Sequence, residues 1–248
     1  MNTPHTPSVT SSTTAAALPV LFVSHGAPLF ALEPGSTGPA LTRWGAELKA
    51  QYPRLRGVVI MSPHWVARGA TVMTGAQPET WHDFGGFPRP LYALQYPAAG
   101  APALAQEVLA LLEQAGIDAR GDAARPFDHG AWVPLMHLFP QADLPVVQLA
   151  LSLGAGPAEV HALGAALRGL RAQGVLLAGS GSMTHNLAEF FGGVSEPAPY
   201  VLEFSRWIEQ QLERGDLAAL LDYRARAPHA RRAHPTEEHF LPLFFALG

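Results

Sequence analysis

Cysteine is absent from all 248 residues of the chain. Its absence excludes a disulfide framework, and it also excludes zinc or iron–sulfur sites held by thiolates. Histidine, aspartate and glutamate remain as the candidate metal ligands. A chain without thiols also fits a reducing cytoplasm, which is the compartment we predict.

Positive charge is scarce as well. Lys and Arg number 16 against 20 Asp and Glu, the formal net charge is -4, and the basic residues form no run. We therefore expect neither nucleic acid nor a membrane as partner, and a small molecule instead. No apolar run approaches the ~20 residues of a membrane span. Residues 1–17 are rich in Ser and Thr and lack a basic segment, so we predict a disordered tail.

The hydrophobic pattern predicts the fold class. Hydrophobic residues make up 48% of the chain and charged residues 15%, which suffices for a large core. Short apolar runs predict buried strands at 19–23, 57–61, 145–152 and 174–178. Segments of helical spacing lie between and after them, at 39–51, 103–115, 158–173 and 201–223. We predict a single α/β domain over 18–248, with a mostly parallel or mixed sheet and helices on both faces.

The longest predicted connection, 72–102, is rich in aromatic and turn-forming residues. Long ordered loops in compact domains are often binding loops. Its aromatic side chains would then stack on a ligand, although packing within the loop explains them equally well. These aromatic residues are Trp81, Phe84, Phe87, Tyr92 and Tyr96.

Three histidines follow predicted strands. They are His25, His64 and His185. Any one of them alone is adequately explained as a core or turn residue. Because the carboxyl ends of strands in an α/β sheet meet at one crevice, however, the three together predict a shared site there. Imidazole is the commonest metal ligand, so the predicted site binds a divalent metal.

Two further segments carry candidate residues. His234 and His239 flank Pro-Thr-Glu-Glu, where Thr236 could cap a helical turn. On a helix these two histidines would point about 140° apart, so at most one is expected to face the site. Asp128 and His129 precede an apolar segment, and Asp128 could simply cap it.

A third pair, His82 and Asp83, lies in the aromatic loop. We interpret it as structural or substrate-shaping rather than metal-ligating.

Six short motifs around these residues occur in a characteristic order. They are Ser-His-Gly-Ala-Pro at 24–28, Ser-Pro-His-Trp at 62–65, His-Asp-Phe-Gly-Gly-Phe-Pro at 82–88, Phe-Asp-His-Gly at 127–130, Ser-Gly-Ser-Met-Thr-His-Asn at 180–186 and Glu-His-Phe-Leu-Pro-Leu at 238–243. With these motifs the sequence resembles the class III extradiol ring-cleavage dioxygenases, in the branch similar to 4,5-DOPA dioxygenases. The resemblance spans nearly the whole chain after the tail.

The resemblance implies roles for specific residues. It implies metal binding by His25, His64 and His185, with His239 as a further ligand or catalytic group. It implies an acid/base role for His129. The wider superfamily uses two histidines and a carboxylate, whereas this chain offers histidines at the matching positions. The implied cofactor is one divalent metal, Fe(II) for dioxygenase activity or Zn(II) as bound.

The implied reaction is ring opening of a catechol such as DOPA by O2, giving a semialdehyde. Two alternatives stay open from the residues alone. One is a zinc-dependent hydrolase on the same histidines, and the other is a non-catalytic metal-binding protein. A serine hydrolase is disfavoured, because Gly-Ser-Gly-Ser at 179–182 does not match the G-x-S-x-G nucleophile motif.

Overall fold

The computed structural model describes residues 16–192 and 198–248, and its centre is a six-stranded mixed sheet of order β1-β6-β2-β5-β3-β4. The neighbours β1, β6, β2 and β5 are parallel, whereas β3 runs antiparallel to β5 and pairs in parallel with β4. The strands are β1 Val20–Ser24, β2 Gly57–Ala67, β3 Ala70–Met73, β4 Ala119–Asp122, β5 Val146–Ser152 and β6 Val175–Gly181.

Helices cover both faces of the sheet. The α-helices are α1 Thr37–Gln51, α2 Pro102–Gln114, α3 His129–Leu138, α4 Pro157–Leu167, α5 Leu187–Phe190, α6 Pro199–Arg214, α7 Leu217–Leu221, α8 Tyr223–Arg226, α9 Ala230–Ala233 and α10 Pro242–Leu247. Short 3-10 helices span Pro28–Ala31, Arg89–Ala93 and Arg168–Gln173. Among the described residues no helix combines the length and apolar character that a membrane span requires.

Alternation along the strands divides the core in two. Val59, Val147 and Leu177 pack with α2, α4, α6 and α10 on one face. Val58 and Leu176 pack with α1 and α3 on the other. Successive strand residues point to opposite faces, and both faces are covered by helices, so the central strands consist mostly of apolar residues. The predicted α/β class with helices on both faces is confirmed.

Four predicted strands correspond to β1, β2, β5 and β6, whereas β3 and β4 were not predicted. β4 reads Ala-Arg-Gly-Asp and lies at the edge of the sheet, so it lacks the apolar run that marks a strand buried on both faces. The tail prediction for 1–17 lies largely outside the described residues, of which only Ala16 and Ala17 belong to it.

Two predicted helices are interrupted. The helix expected over 158–173 is α4 followed by the 3-10 helix, and this ends at Gly174, whose φ is 84°. The helix expected over 201–223 breaks after α6, where Gly215 takes a left-handed φ of 65°. Asp216 then caps α7 by accepting a hydrogen bond from Ala219 N. Pro242 lies in the first turn of α10, as prolines at helix starts do.

Two glycines of β6 let the C-terminal segment approach the sheet. A Cβ at Gly179 would lie 2.0 Å from the Pro242 carbonyl oxygen, and one at Gly181 would lie 2.2 Å from that of His239. These distances are far below van der Waals contact. The close approach therefore places His239 beside the end of β6.

Gly179→Ala is expected to lower the free energy of unfolding by about 1–3 kcal/mol, because the added methyl must displace the backbone at Pro242. Urea unfolding would measure it. The matched control is Gly169→Ala, where an added Cβ meets nothing within 4 Å. Equal effects of the two substitutions would contradict this account of the β6 contact.

Candidate metal centre

Five histidines line one cleft of about 520 Å³. The cleft opens at the carboxyl ends of β1, β6 and β2, where the sequence predicted a site. The histidines are His25, His64, His129, His185 and His239. His25 directly follows β1, and His185 follows β6 after a short turn.

His64 differs in one respect from the prediction that it follows a strand. It lies inside β2, which continues to Ala67. The pairing of β2 with β5 shifts register between Ser62 and Val66, so His64 lies in an irregular stretch of the strand. Such irregularities re-aim side chains near functional sites, and this one lies at the cleft.

The proton of His25 can be assigned from its neighbours. His25 Nδ1 lies 3.0 Å from Ser180 Oγ, and the Ser180 hydroxyl donates to the Gly130 carbonyl. A hydroxyl has one hydrogen, so Ser180 can only accept from His25, and the imidazole proton is on Nδ1. His25 Nε2 is therefore a bare lone pair. It lies 3.1 Å from His64 Nε2.

His239 completes a group of three. One ligand atom each from His25, His64 and His239 lies within 4.8 Å of the others. His239 Nδ1 is 3.4 Å from Glu238 Oε1, and that hydrogen bond contributes most to lowering the pKa of Glu238 to about 2. Glu238 is then an ionised acceptor at neutral pH, which leaves His239 Nε2 free to bind a metal.

His185 is not part of that group of three. Its ring stacks on the ring of His239, with centroids 3.5 Å apart and planes 6° apart. A separate group of possible ligands joins His185 to Glu238 and His239. The fold thus brings all four histidines predicted as ligands into one cleft, with His185 beside His239 rather than between His25 and His64.

Burial keeps the imidazoles of His25, His64 and His185 neutral. It lowers the pKa of His25 well below its usual range, with a further contribution from the charge of His64. Burial and the neighbouring His129 lower the pKa of His64 to about 3. Burial and His239 lower the pKa of His185 to about 4. Neutral imidazole is the form that binds metals, so the site is prepared for a cation at neutral pH.

His129 is oriented by Asp83. Both His129 Nδ1 and the His129 backbone N–H donate to Asp83 Oδ1, at 3.0 and 2.9 Å. A carboxylate accepts only, so the ring proton is on Nδ1 and Nε2 is the bare nitrogen. The ring centroid lies 3.9 Å from that of His64. Asp83 was predicted as structural or substrate-shaping, and its part in orienting His129 was missed.

A buried charged group lies behind His64. Asp128 is 0% exposed and accepts from Arg125 at 2.7 Å, from Ser62 Oγ at 2.7 Å and from Gln148. Arg125 also donates to the His64 carbonyl at 3.3 Å. Asp128 does cap α3, as the simpler interpretation had it, by accepting from Ala131 N at 3.2 Å. The same carboxylate therefore fixes the backbone around His64.

The aromatic loop contributes only partly to the cleft. Phe84 and Phe87 line it. Trp81 instead contacts the Arg125 guanidinium, whose central carbon is 4.9 Å from the ring centroid. The Tyr96 hydroxyl donates to the Phe139 carbonyl inside the core. Packing within the protein therefore accounts for Trp81 and Tyr96, whereas stacking of Phe84 and Phe87 on a ligand stays a prediction.

Only one of the two C-terminal histidines faces the cleft, as expected: His239 lines it and His234 does not. His234 is fully buried, and its Nε2 lies 2.9 Å from the Met183 carbonyl. Thr236 does not cap a helix. It lies in a bend, and its hydroxyl donates to Glu238 Oε1 at 2.8 Å.

This arrangement of histidines is accompanied by similarity to known proteins over nearly the whole chain. A family model described as the catalytic LigB subunit of aromatic ring-opening dioxygenase matches residues 4–248. The chain belongs to this family.

Individual members of the LigB family agree with this assignment. The chain is 37% identical over 238 residues to a 4,5-DOPA dioxygenase extradiol of Escherichia coli (strain K12), covering 93% of this chain and 84% of the relative. It is 36% identical over 229 residues to one of Beta vulgaris, covering 92% and 85%. A crystal structure of an uncharacterized protein from Escherichia coli K12 superposes with a TM-score of 0.73 at 30% identity, covering 93% and 88%.

LigB membership makes this protein an extradiol ring-cleavage dioxygenase, an oxidoreductase acting on a small molecule with O2. Of the alternatives that the residues alone left open, the dioxygenase is the one the relatives support.

Proposed function

We propose that this protein is a metal-dependent extradiol dioxygenase that opens the ring of a catechol and releases a semialdehyde. The observation that supports it most is the bare His25 Nε2 facing His64 Nε2, with the His129–Asp83 pair beside them. These residues provide both a position for a cation and a proton acceptor within one cleft.

The residues fit a divalent metal. Metal–nitrogen bonds of about 2.0–2.1 Å place two ligand nitrogens roughly 3.0–3.4 Å apart at the usual coordination angles. The two Nε2 atoms of His25 and His64 are 3.1 Å apart. We propose that the metal binds between them, with further protein ligands from the stacked pair of His185 and His239. Fe(II) is the ion proposed for dioxygenase activity, and Zn(II) would also suit these nitrogen ligands.

When bound, the metal supplies the positive charge that binds both catechol oxygens and the open positions that O2 needs. The chain's own residues handle the proton. His129 Nε2 carries no hydrogen, so it can accept the proton of a catechol hydroxyl and later return it. Asp83 holds the ring and stabilises the imidazolium that forms. The overall reaction breaks one ring carbon–carbon bond and places both atoms of O2 in the product, so no external reductant is needed.

The proposed substrate class is the catechols. The Escherichia coli and Beta vulgaris relatives are named as 4,5-DOPA dioxygenases, so DOPA belongs in the first set of substrates tested. Phe84 and Phe87 stand in the cleft wall, where they can contact the face of an aromatic ring.

Oxygen uptake tests the proposal. The metal-free protein is loaded anaerobically with Fe(II), mixed with catechol, 4-methylcatechol or DOPA, and exposed to O2. We expect stoichiometric O2 consumption together with the yellow colour of a ring-opened semialdehyde, and neither with the metal-free protein. No uptake with any of these catechols despite confirmed iron occupancy would contradict the proposal.

Asp83→Asn is expected to lower kcat by about 100-fold, because an amide no longer fixes the His129 tautomer or stabilises its protonated ring. Iron content should stay near that of the wild type, since Asp83 is not among the proposed ligands. Asp143→Asn, which alters an exposed pair with Lys49, is the matched control. A kcat of Asp83→Asn within twofold of the control would remove His129 from the proposed proton transfer.

A further inference from the structure

The described walls of the histidine cleft carry no permanently charged side chain that could pair with a substrate. None of the described residues that line it is Lys, Arg, Asp or Glu. The undescribed residues, 1–15 and 193–197, contain neither Lys nor Arg. An anionic group on a bound substrate would therefore find no lysine or arginine along the walls.

Two arginines that contact cleft-lining residues, Arg125 at His64 and Arg232 at Asn186, are engaged elsewhere. Arg125 is paired with Asp128 and lies between Trp65 and Trp81, its central carbon 4.8 and 4.9 Å from their ring centroids. Arg232 donates to both carboxylate oxygens of Glu189, at 2.8 and 3.2 Å. Neither side chain lines the cleft.

Ser182, Thr184 and Asn186 give one part of the lining polar groups, but the part near the aromatic loop and α5 is apolar. Phe84 and Phe87 form part of the lining, and so do Leu187, Phe190 and Phe191 around α5. Phe190 and Phe191 are 70% and 78% exposed, with ring centroids 5.4 Å apart. Exposed large aromatics next to a ligand cleft mark a surface that a ligand covers. A cleft of about 520 Å³ also lies within the range of sites that hold ligands larger than one ring.

We infer that the ring substituent of the substrate is uncharged and apolar or aromatic, and that it lies along the wall formed by Phe84, Phe87, Phe190 and Phe191. This inference rests on the proposed function, in which the histidines and the metal take the two ring oxygens at the floor of the cleft. A substituent at the far side of the ring then meets the apolar wall.

The physical reason is desolvation. A carboxylate that lies against this apolar wall loses hydration and gains no lysine or arginine partner in return, which costs more than burying a neutral group of the same shape. An apolar substituent gains from the same burial. DOPA, whose amino-acid group carries two charges, is accordingly expected to be a poorer substrate than a catechol with an alkyl or aryl group.

A comparison of a charged substrate with its neutral ester tests the inference. The iron-loaded enzyme is given 3,4-dihydroxyphenylpropionate and, separately, its methyl ester. We expect the ester to have a kcat/KM at least about tenfold higher. An acid turned over as well as its ester, or better, would overturn the inference while leaving the proposed ring opening intact. Turnover of neither would overturn the proposed function and the inference with it.

A wall substitution gives an independent test. Phe190→Arg introduces a cation at the exposed edge of the wall, and Phe190→Leu is the matched control without charge. We expect the arginine variant to reduce the ester-to-acid ratio of kcat/KM by about two- to fivefold relative to the leucine variant, the effect of a partly exposed ion pair. Equal ratios in the two variants would show that the substituent does not reach this wall.

Discussion

Arg125→Met is expected to lower the free energy of unfolding by about 3–5 kcal/mol, because it leaves the Asp128 carboxylate buried without its charged partner. Asp128 is 0% exposed and the Arg125 side chain 11%, and their nearest atoms are 2.7 Å apart. Hydrogen bonds from Ser62 and Gln148 remain in the variant but carry no compensating charge. Urea unfolding followed by circular dichroism would measure the loss.

Arg56→Met is the matched control for this substitution. Arg56 pairs with Glu107 at 2.7 Å, but their side chains are 39% and 41% exposed, so water screens the pair. Loss of this pair should lower the free energy of unfolding by less than about 1 kcal/mol. If Arg125→Met lowered the free energy of unfolding no more than Arg56→Met does, the buried pair of Arg125 and Asp128 would not stabilise the fold as proposed.

The second large effect concerns the metal. His25→Ala and His64→Ala are each expected to reduce bound iron and ring-opening activity by at least ~100-fold. Each removes one of the two Nε2 atoms that face each other across 3.1 Å. Bound-metal analysis after anaerobic loading, together with oxygen uptake, would measure both losses.

The control for this pair is His161→Ala. His161 lies on α4 and does not line the cleft. This variant should retain its iron and its activity. Full iron occupancy in His25→Ala and His64→Ala would contradict the assignment of these residues as ligands. The same analysis of His185→Ala and His239→Ala would show which member of the stacked pair binds the metal.

Much of the site could be predicted because its residues follow strands whose apolar runs are conspicuous. β1, β2 and β6 each begin with a run of apolar residues, so the strands can be located in the sequence. His25 and His185 therefore lie near where the sequence places them. His64 could not be placed as accurately, since Pro63 makes the apolar run appear to end before it, whereas β2 continues to Ala67 through an irregular pairing with β5 between Ser62 and Val66.

The features that sequence reasoning missed depend on loop geometry. Asp83 and His129 are 46 positions apart, and their contact exists only because the aromatic loop folds back onto the start of α3. The apolar wall near α5 was missed because α5 has only 4 residues, which is too short for a periodic pattern of apolar residues to appear in the sequence. β4 was missed because an edge strand with polar residues does not read as an apolar run.

The most direct test of the central claim is the fate of the two oxygen atoms. The iron-loaded enzyme is allowed to open a catechol under ¹⁸O2, and the semialdehyde is trapped and examined by mass spectrometry. Extradiol cleavage predicts that both labelled atoms of one O2 molecule enter the product, one in the new carboxylate and one in the aldehyde, whose oxygen then exchanges with water. A product without label in its new carboxylate, or a catechol oxidised without ring opening, would contradict the account.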